Sequence, residues 1–270
     1  TLQYTKRITD HNFSILGGTE YIQNRASSLG ASRARFEYTQ PTFQYMDFGG
    51  TAKDLWNSGT ASEWALFSLF GSANYNYRNK YFVTASLRAD ASSRFSPENQ
   101  WGYFPSVSAG WRISQESFMD NVSWISDLKL RASTGTLGNQ EIDNYTYLTL
   151  LRKNGEQYLI SRYGNPDLKW ESTRQDNIGL DLGLLKNKLT FTFDYFKKTT
   201  SDILLPRSLP ALVGNVSATM VNAGTVINKG FEASVSYDNT SRDFTYGISA
   251  NIATLKNEVI KLHPNLPNLT

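Results

Sequence analysis

Cysteine is absent from all 270 residues. That removes disulfide frameworks, thiolate metal sites and a cysteine nucleophile from consideration. Histidine is nearly absent: His11 lies in a predicted short turn and His263 in the Pro-rich tail HPNLPNLT. Neither has a nucleophile beside it, and a hydrolase needs a base near its nucleophile. No catalytic residue is therefore assigned. Charge of one sign is not in excess, with 27 Lys and Arg against 24 Asp and Glu. The basic residues are scattered and do not interleave with aromatics, so nothing here reads nucleic acid. No run of about 18 apolar residues exists, which excludes a membrane-crossing helix. The opening TLQYTKRITD has no apolar core of the kind a signal peptide needs. Its alternation (Leu2, Tyr4, Lys6, Ile8) starts in mid-strand, as a piece of a longer chain would.

What is present is alternation. From Tyr103 to Ile113 the odd residues are Tyr103, Pro105, Val107, Ala109, Trp111 and Ile113. The even ones are Phe104, Ser106, Ser108, Gly110 and Arg112. A period of two marks a strand with unlike faces. Ten such segments are predicted, near 2–9, 12–25, 63–77, 81–92, 102–114, 127–138, 172–185, 188–203, 228–239 and 243–257. The mean hydropathy of −0.42 suits a soluble chain, yet a membrane barrel needs only every second residue apolar.

Hairpin registers follow from requiring apolar residues to face apolar residues. A loop at Lys186–Asn187 sets Leu184 against Leu189, and one at Thr240–Ser241 sets Tyr237 against Phe244. A loop at Asp10–His11 sets Ile8 against Phe13, and Arg78–Lys80 sets Tyr75 against Val83. Short connections near 10, 79, 187 and 240 alternate with long ones near 26–62, 91–101, 139–171 and 204–227. The stretch 115–127 counts with the short set and is predicted to hold a short helix capped by Ser114. Such sorting is the habit of transmembrane barrels, with short turns at one end and long loops at the other. Tyr75, Tyr77, Tyr81 and Phe82, then Trp101, Tyr103 and Phe104, supply two aromatic girdles. The predicted fold is all-β, an antiparallel transmembrane β-barrel segment.

Four collinear phrases carry a family resemblance: YFVTASLRADASSRFSPENQWGYFPSVSAGWRIS at 81–114, SFMDNVSWISDLKLRASTGTLGNQEIDNY at 117–145, GNPDLKWESTRQDNIGLDLGLLKNKLTFTFDYFKKTTSDILL at 164–205 and NAGTVINKGFEASVSY at 222–237. They resemble the barrel of the SusC/RagA family of TonB-dependent outer-membrane transporters of Bacteroidetes. The resemblance implies about ten strands of a barrel of about 22, with residues 1–270 all barrel. It implies a plug domain, outside this chain, that contacts TonB, and a SusD-like surface lipoprotein as lid. It also implies energy-coupled import of a glycan or oligopeptide, no enzymatic chemistry and no cofactor. Two other classes stay open: a self-contained small barrel such as a porin or adhesin, and a soluble carbohydrate-binding β-sandwich.

Candidate site residues fall in two sets. Arg88, Asp90, Lys129, Arg131, Asp181, Asp194 and Glu232 fall on the predicted lumen face, where buried charge needs partners. Pairing with a plug or neighbouring strands is favoured there over steering of substrate. Among loop aromatics, Trp56, Tyr145 and Tyr163 are the candidates for substrate or lid contact, whereas Trp170, in DLKWES, is expected to be structural. The loop carboxylates Glu141, Asp143, Asp167 and Glu171 are read as solvated, and no metal site is assigned. Gly17–Gly18 and Gly49–Gly50 precede no helix, which voids a phosphate-loop reading.

Overall fold

The computed structural model describes residues 1–36, 38, 40–49, 55–214, 216–240 and 244–262. His263, Gly50 and Ser241, named above, lie outside the described residues. Alternating, β-branched and aromatic-rich segments become fifteen strands among the described residues, five more than the ten expected. Their bounds are β1 Leu2–Ile8, β2 His11–Arg33, β3 Leu55–Tyr77, β4 Tyr81–Ser92, β5 Trp101–Arg112 and β6 Ile125–Asn139. β7 Leu150–Asn154 and β8 Gln157–Arg162 form a separate hairpin, as do β11 Leu204–Arg207 and β12 Thr219–Asn222. The main sheet continues through β9 Glu171–Leu184, β10 Leu189–Ser201, β13 Thr225–Thr240, β14 Thr245–Ala253 and β15 Lys256–Lys261. Its order is β1-β2-β3-β4-β5-β6-β9-β10-β13-β14, with β15 also on β13. β14 and β15 keep one register against β13 from Thr240 to Val226, with a bulge at Thr225, so they act as a single strand interrupted at Thr254–Leu255.

Two compact units divide the chain. Residues 22–65, the smaller, comprise the far parts of β2 and β3 and the segment between them. Cross-strand polar pairs hold it, among them Gln23 Nε2 to Glu63 Oε1 (2.5 Å) and the Ser28 and Thr60 hydroxyls (2.7 Å). Residues 1–21 and 66–270 form the larger unit, which carries the rest of the sheet and both loop hairpins.

In the larger unit the two faces of the sheet behave in opposite ways. The apolar rows run straight across the strands: Leu130, Leu180, Phe193, Ala233 and Ile252 occupy one row, and Ala132, Ile178, Tyr195 and Phe231 the next. This face is exposed, at 49% for Val107, 64% for Tyr103 and 58% for Ile178. The buried apolar residues Phe95, Phe104, Ile142, Leu168, Val221 and Ala223 all lie elsewhere, on the opposite face or in the long connections. A water-soluble sandwich buries its apolar face on a second layer. In this unit the apolar face continues from strand to strand with no such layer among the described residues, far beyond the apolar patches that soluble monomers expose. Lipid is the solvent that suits it.

The aromatics at the short-turn end lock together. His11 Nδ1 lies 2.8 Å from the Tyr75 hydroxyl, and the Tyr77 and Tyr81 rings stack at 6.3 Å. Trp101 and Tyr103 stack at the other end, on the same face. Phe82 and Phe104 are exceptions to the predicted girdles. Their even parity places both on the polar face, where Lys129 Nζ sits 4.8 Å over the Phe82 ring and Phe104 is buried against Trp170.

Four further expectations change. Ile8 pairs with His11, and Lys6 rather than Ile8 with Phe13. Tyr237 pairs with Ile248 rather than Phe244. Both shifts are by an even number of residues, which leaves every side chain on its predicted face. Residues 113–119 form two 3-10 turns with no Ser114 cap, and the Ser114 hydroxyl donates to Asp127 instead (2.9 Å). The connection expected at 26–62 is shorter at both ends, because β2 runs to Arg33 and β3 starts at Leu55.

Candidate functional site

The polar face is built from rows as regular as the apolar ones. Arg131 on β6, Gly179 on β9, Asp194 on β10 and Glu232 on β13 are successive cross-strand partners. Arg131 grips Asp181 with two bonds, Nε to Oδ2 at 2.8 Å and Nη2 to Oδ1 at 2.9 Å. Its Nη2 also reaches Asp194 Oδ2, 3.1 Å away and one strand further on. Gly179 lies between, and a Cβ there would collide with the Arg131 guanidinium and the Asp194 carboxylate. The glycine is the gap through which one arginine holds two strands.

A second network surrounds Arg88. Its Nε bonds both Asp90 oxygens, at 2.8 and 3.0 Å, and its Nη2 bonds Glu20 and the buried Ser68 hydroxyl, each at 2.8 Å. Both arginines are thus satisfied within the sheet, Arg88 partly by Asp90 of its own strand. Lys129 lies beside Asp181 in the register and caps Phe82. Glu232 makes no ion pair among the described residues and lines a small recess with Asn177, Asp194 and Lys198.

At the long-loop end a second construction appears. Phe95, Ile142 and Leu168, from three connections, form a buried cluster joined by Trp170, Leu204 and Met220. Trp170 lies 5.3 Å from Phe95 and 5.3 Å from Phe104, and its indole N–H donates to the Gln100 carbonyl at 2.9 Å. The Phe104 ring rests over Gly102 and Gly138, where a methyl group would overlap it. Polar bonds staple the same segments. Asn222 Nδ2 donates to the carbonyls of Lys169 (2.8 Å) and Asp202 (2.9 Å), and its Oδ1 accepts from Lys169 N–H (3.0 Å). Asn165 Nδ2 donates to the Met220 carbonyl, and the Ser96 hydroxyl to that of Pro166.

Between these staples lies an open cavity of about 700 Å³, lined by Tyr163, Lys169, Asp202, Arg207, Asn222 and neighbours. Lys169 and Asp202 pair across it at 3.0 Å, while Arg207 makes no ion pair among the described residues. Hydrogen-bond donors, Tyr163 and an arginine with no ion pair among the described residues suit a polar ligand of moderate size. Of the three aromatics singled out from sequence, only Tyr163 lines this cavity. Tyr145 lies in the connection between β6 and β7, with φ +61°, outside the lining. Trp56 belongs to the 22–65 unit, where its ring lies over Gly30. The sequence reading missed Arg207, Asp202 and Asn222. The alternation of TMVN into NAG, a break at a strand end, was the signal available for Asn222. Among the described residues no group of three or more His, Asp or Glu is placed to hold a metal.

At the short-turn end Glu116 accepts from the Tyr81 hydroxyl (2.6 Å), the Trp111 indole (3.1 Å) and Lys80 Nζ (3.2 Å). The Tyr81 bond, then the Trp111 bond and Lys80, hold its carboxyl below the ordinary carboxylate range against the opposing effect of burial.

A family profile described as TonB dependent receptor-like, beta-barrel, matches residues 2–268. The chain belongs to the TonB-dependent receptor-like β-barrel family. Within this family it is 36% identical to TonB-dependent receptor P3 of Formosa agariphila, over 97% of this chain and 27% of that protein. It is also 36% identical to TonB-dependent receptor SusC of Bacteroides thetaiotaomicron, again over 97% of this chain and 27% of the relative. A solved structure of the RagAB peptide importer in its closed-closed state superposes with a TM-score of 0.89 and 31% identity, covering 98% of this chain and 30% of that one. The chain thus spans about a quarter of the length of the curated relatives it matches. TonB-dependent receptor-like barrels of the SusC and RagA kind are outer-membrane proteins, and the strands described here are part of such a barrel.

Proposed function

We propose that this TonB-dependent receptor barrel segment is part of the wall of an active importer. The apolar face meets lipid and the polar face lines the lumen. The exposed apolar face, continuous across the sheet and backed by a charged one, carries this reading. The long loops face the outside, and the cavity at Tyr163, Lys169 and Arg207 takes part of the ligand, a glycan or an oligopeptide. A SusD-like lipoprotein closes over the loops, and TonB acts through a plug in the lumen. Arg131 and Arg88 stiffen the wall, whereas Glu232 is left to pair with the plug.

Uptake of labelled oligopeptide and glycan pools by cells carrying the full-length protein tests this reading. Import should disappear on deletion of either the receptor or TonB. Uptake that persists without TonB would assign passive diffusion through a porin-like barrel instead. Replacing Trp56, Tyr145 and Tyr163 together by Ala should lower uptake. Tyr163→Ala alone should account for most of the loss, because it alone lines the cavity.

A further inference from the structure

The apolar rows end in a row of a different kind. On the same face as Tyr195 and Phe231, two residues further along each strand, stand Lys197 on β10, Lys229 on β13 and Lys256 on β15. They are direct cross-strand partners, Lys197 with Lys229 and Lys229 with Lys256. Side chains so paired have Cβ atoms about 5 Å apart, and like charges directly opposite one another are destabilising. Three in a line need an anion to hold them.

Among the described residues the anions do not meet that need. Asp176 lies beside Lys197 in the same row and feels its charge, but its hydrogen bonds go to the Thr134 hydroxyl (2.6 Å) and Arg174 Nε (3.1 Å), so it is shared among several partners. Glu258 is one outward-facing row further on and reaches Lys256 only at 3.8 Å. Lys229, at the centre, makes no ion pair among the described residues. This band of the face therefore holds four cations, with Arg174, against two carboxylates.

Height decides the source of the missing anion. From Leu189, the first apolar residue of β10, to Lys197 is eight residues. At about 3.3 Å per residue and a strand tilt of about 40°, that is roughly 20 Å along the membrane normal. An outer-membrane barrel has an apolar band about 25 Å tall. The lysines therefore stand at the margin of the band, and their stems let the ammonium groups rise to headgroup level. The margin is the outer one, since β10 and β13 run from there into the long connection 202–224.

We infer that Lys197, Lys229 and Lys256 form a docking row for the phosphorylated headgroup of an outer-leaflet lipid. The lipid's chains lie over Ile178, Tyr195 and Phe231, and its phosphate spans the three ammonium groups. The row faces away from the lumen and does not depend on the import reading, so lipid retention and uptake succeed or fail separately.

Native mass spectrometry of the detergent-solubilised full-length protein tests the row. The probes are bisphosphorylated lipid A and the same lipid with both phosphates removed. The intact protein should retain the phosphorylated lipid at least about tenfold better than the dephosphorylated one, and K197Q/K229Q/K256Q should lose that preference. The milder Lys229→Gln should lose part of it, and Lys229→Arg should keep it. A heat-dependent gel shift confirms that each barrel is folded. Equal retention of the two lipids, or a triple variant that retains lipid A like the parent, overturns the inference. So does displacement of the bound lipid by millimolar inorganic phosphate, which would make free phosphate the occupant. A triple variant that loses an oligomer but keeps lipid A would assign the row to a protein contact, and would overturn it too.

Discussion

Leu168→Ala should open the loop end of the barrel and leave the wall intact. Leu168 is 0% exposed and packs with Phe95, also 0% exposed, and with Ile142. The three come from connections far apart in the chain, so no local structure holds them if the packing fails. Truncating a buried leucine costs about 2–5 kcal/mol, the upper end applying when the site cannot collapse. The staples at Asn222 and Asn165 hold the backbone around the gap, so about 3 kcal/mol is expected. At about 1.4 kcal/mol per factor of ten, local opening becomes roughly a hundredfold easier. Hydrogen exchange on the full-length protein reads this directly. Amides in 93–100, 140–170 and 202–224 should lose about two decades of protection, while those of β4, β5 and β6 should hold theirs. Unchanged loops, or a loss spread evenly over strands and loops, would refute the argument that this core is a separate cooperative unit.

Gly179→Ala should push the Arg131 guanidinium off Asp194 while leaving its two bonds to Asp181. The expected loss is about 1 kcal/mol, because the groups are about a third exposed, and Arg131→Met should cost more than Gly179→Ala in thermal unfolding. Glu116 has a titration signature. Its folded carboxyl ionises below the ordinary 4.5, so its contribution is complete above that pH and is lost as pH falls through the folded value. The melting-temperature gap between the parent and Glu116→Gln should accordingly be constant at neutral pH and close below about pH 4.5; a gap unchanged at pH 3 would contradict the three hydrogen bonds drawn to that carboxylate.

Alternation alone told the two faces of this sheet apart. The rows of Leu, Ile, Phe and Tyr and the charged face with Arg88, Arg131 and Asp194 were legible as period-two patterns, whereas the hairpins β7–β8 and β11–β12 inside two long connections were not. Side chains alternate along a strand whatever its partner, so face is a property of local sequence. Register is not. Ile8 against Phe13 and Tyr237 against Phe244 obeyed the pattern as well as the true pairs, Ile8 with His11 and Tyr237 with Ile248. Slips by an even number preserve face, so only turn geometry and cross-strand packing select among them. Register in turn created the features that no segment contains: Arg131 reaching over Gly179, the three adjacent lysines, and a core assembled from Phe95, Ile142 and Leu168. Phe104 shows the same division. Its parity placed it on the polar face, and tertiary packing found it Trp170 and two glycines to rest on.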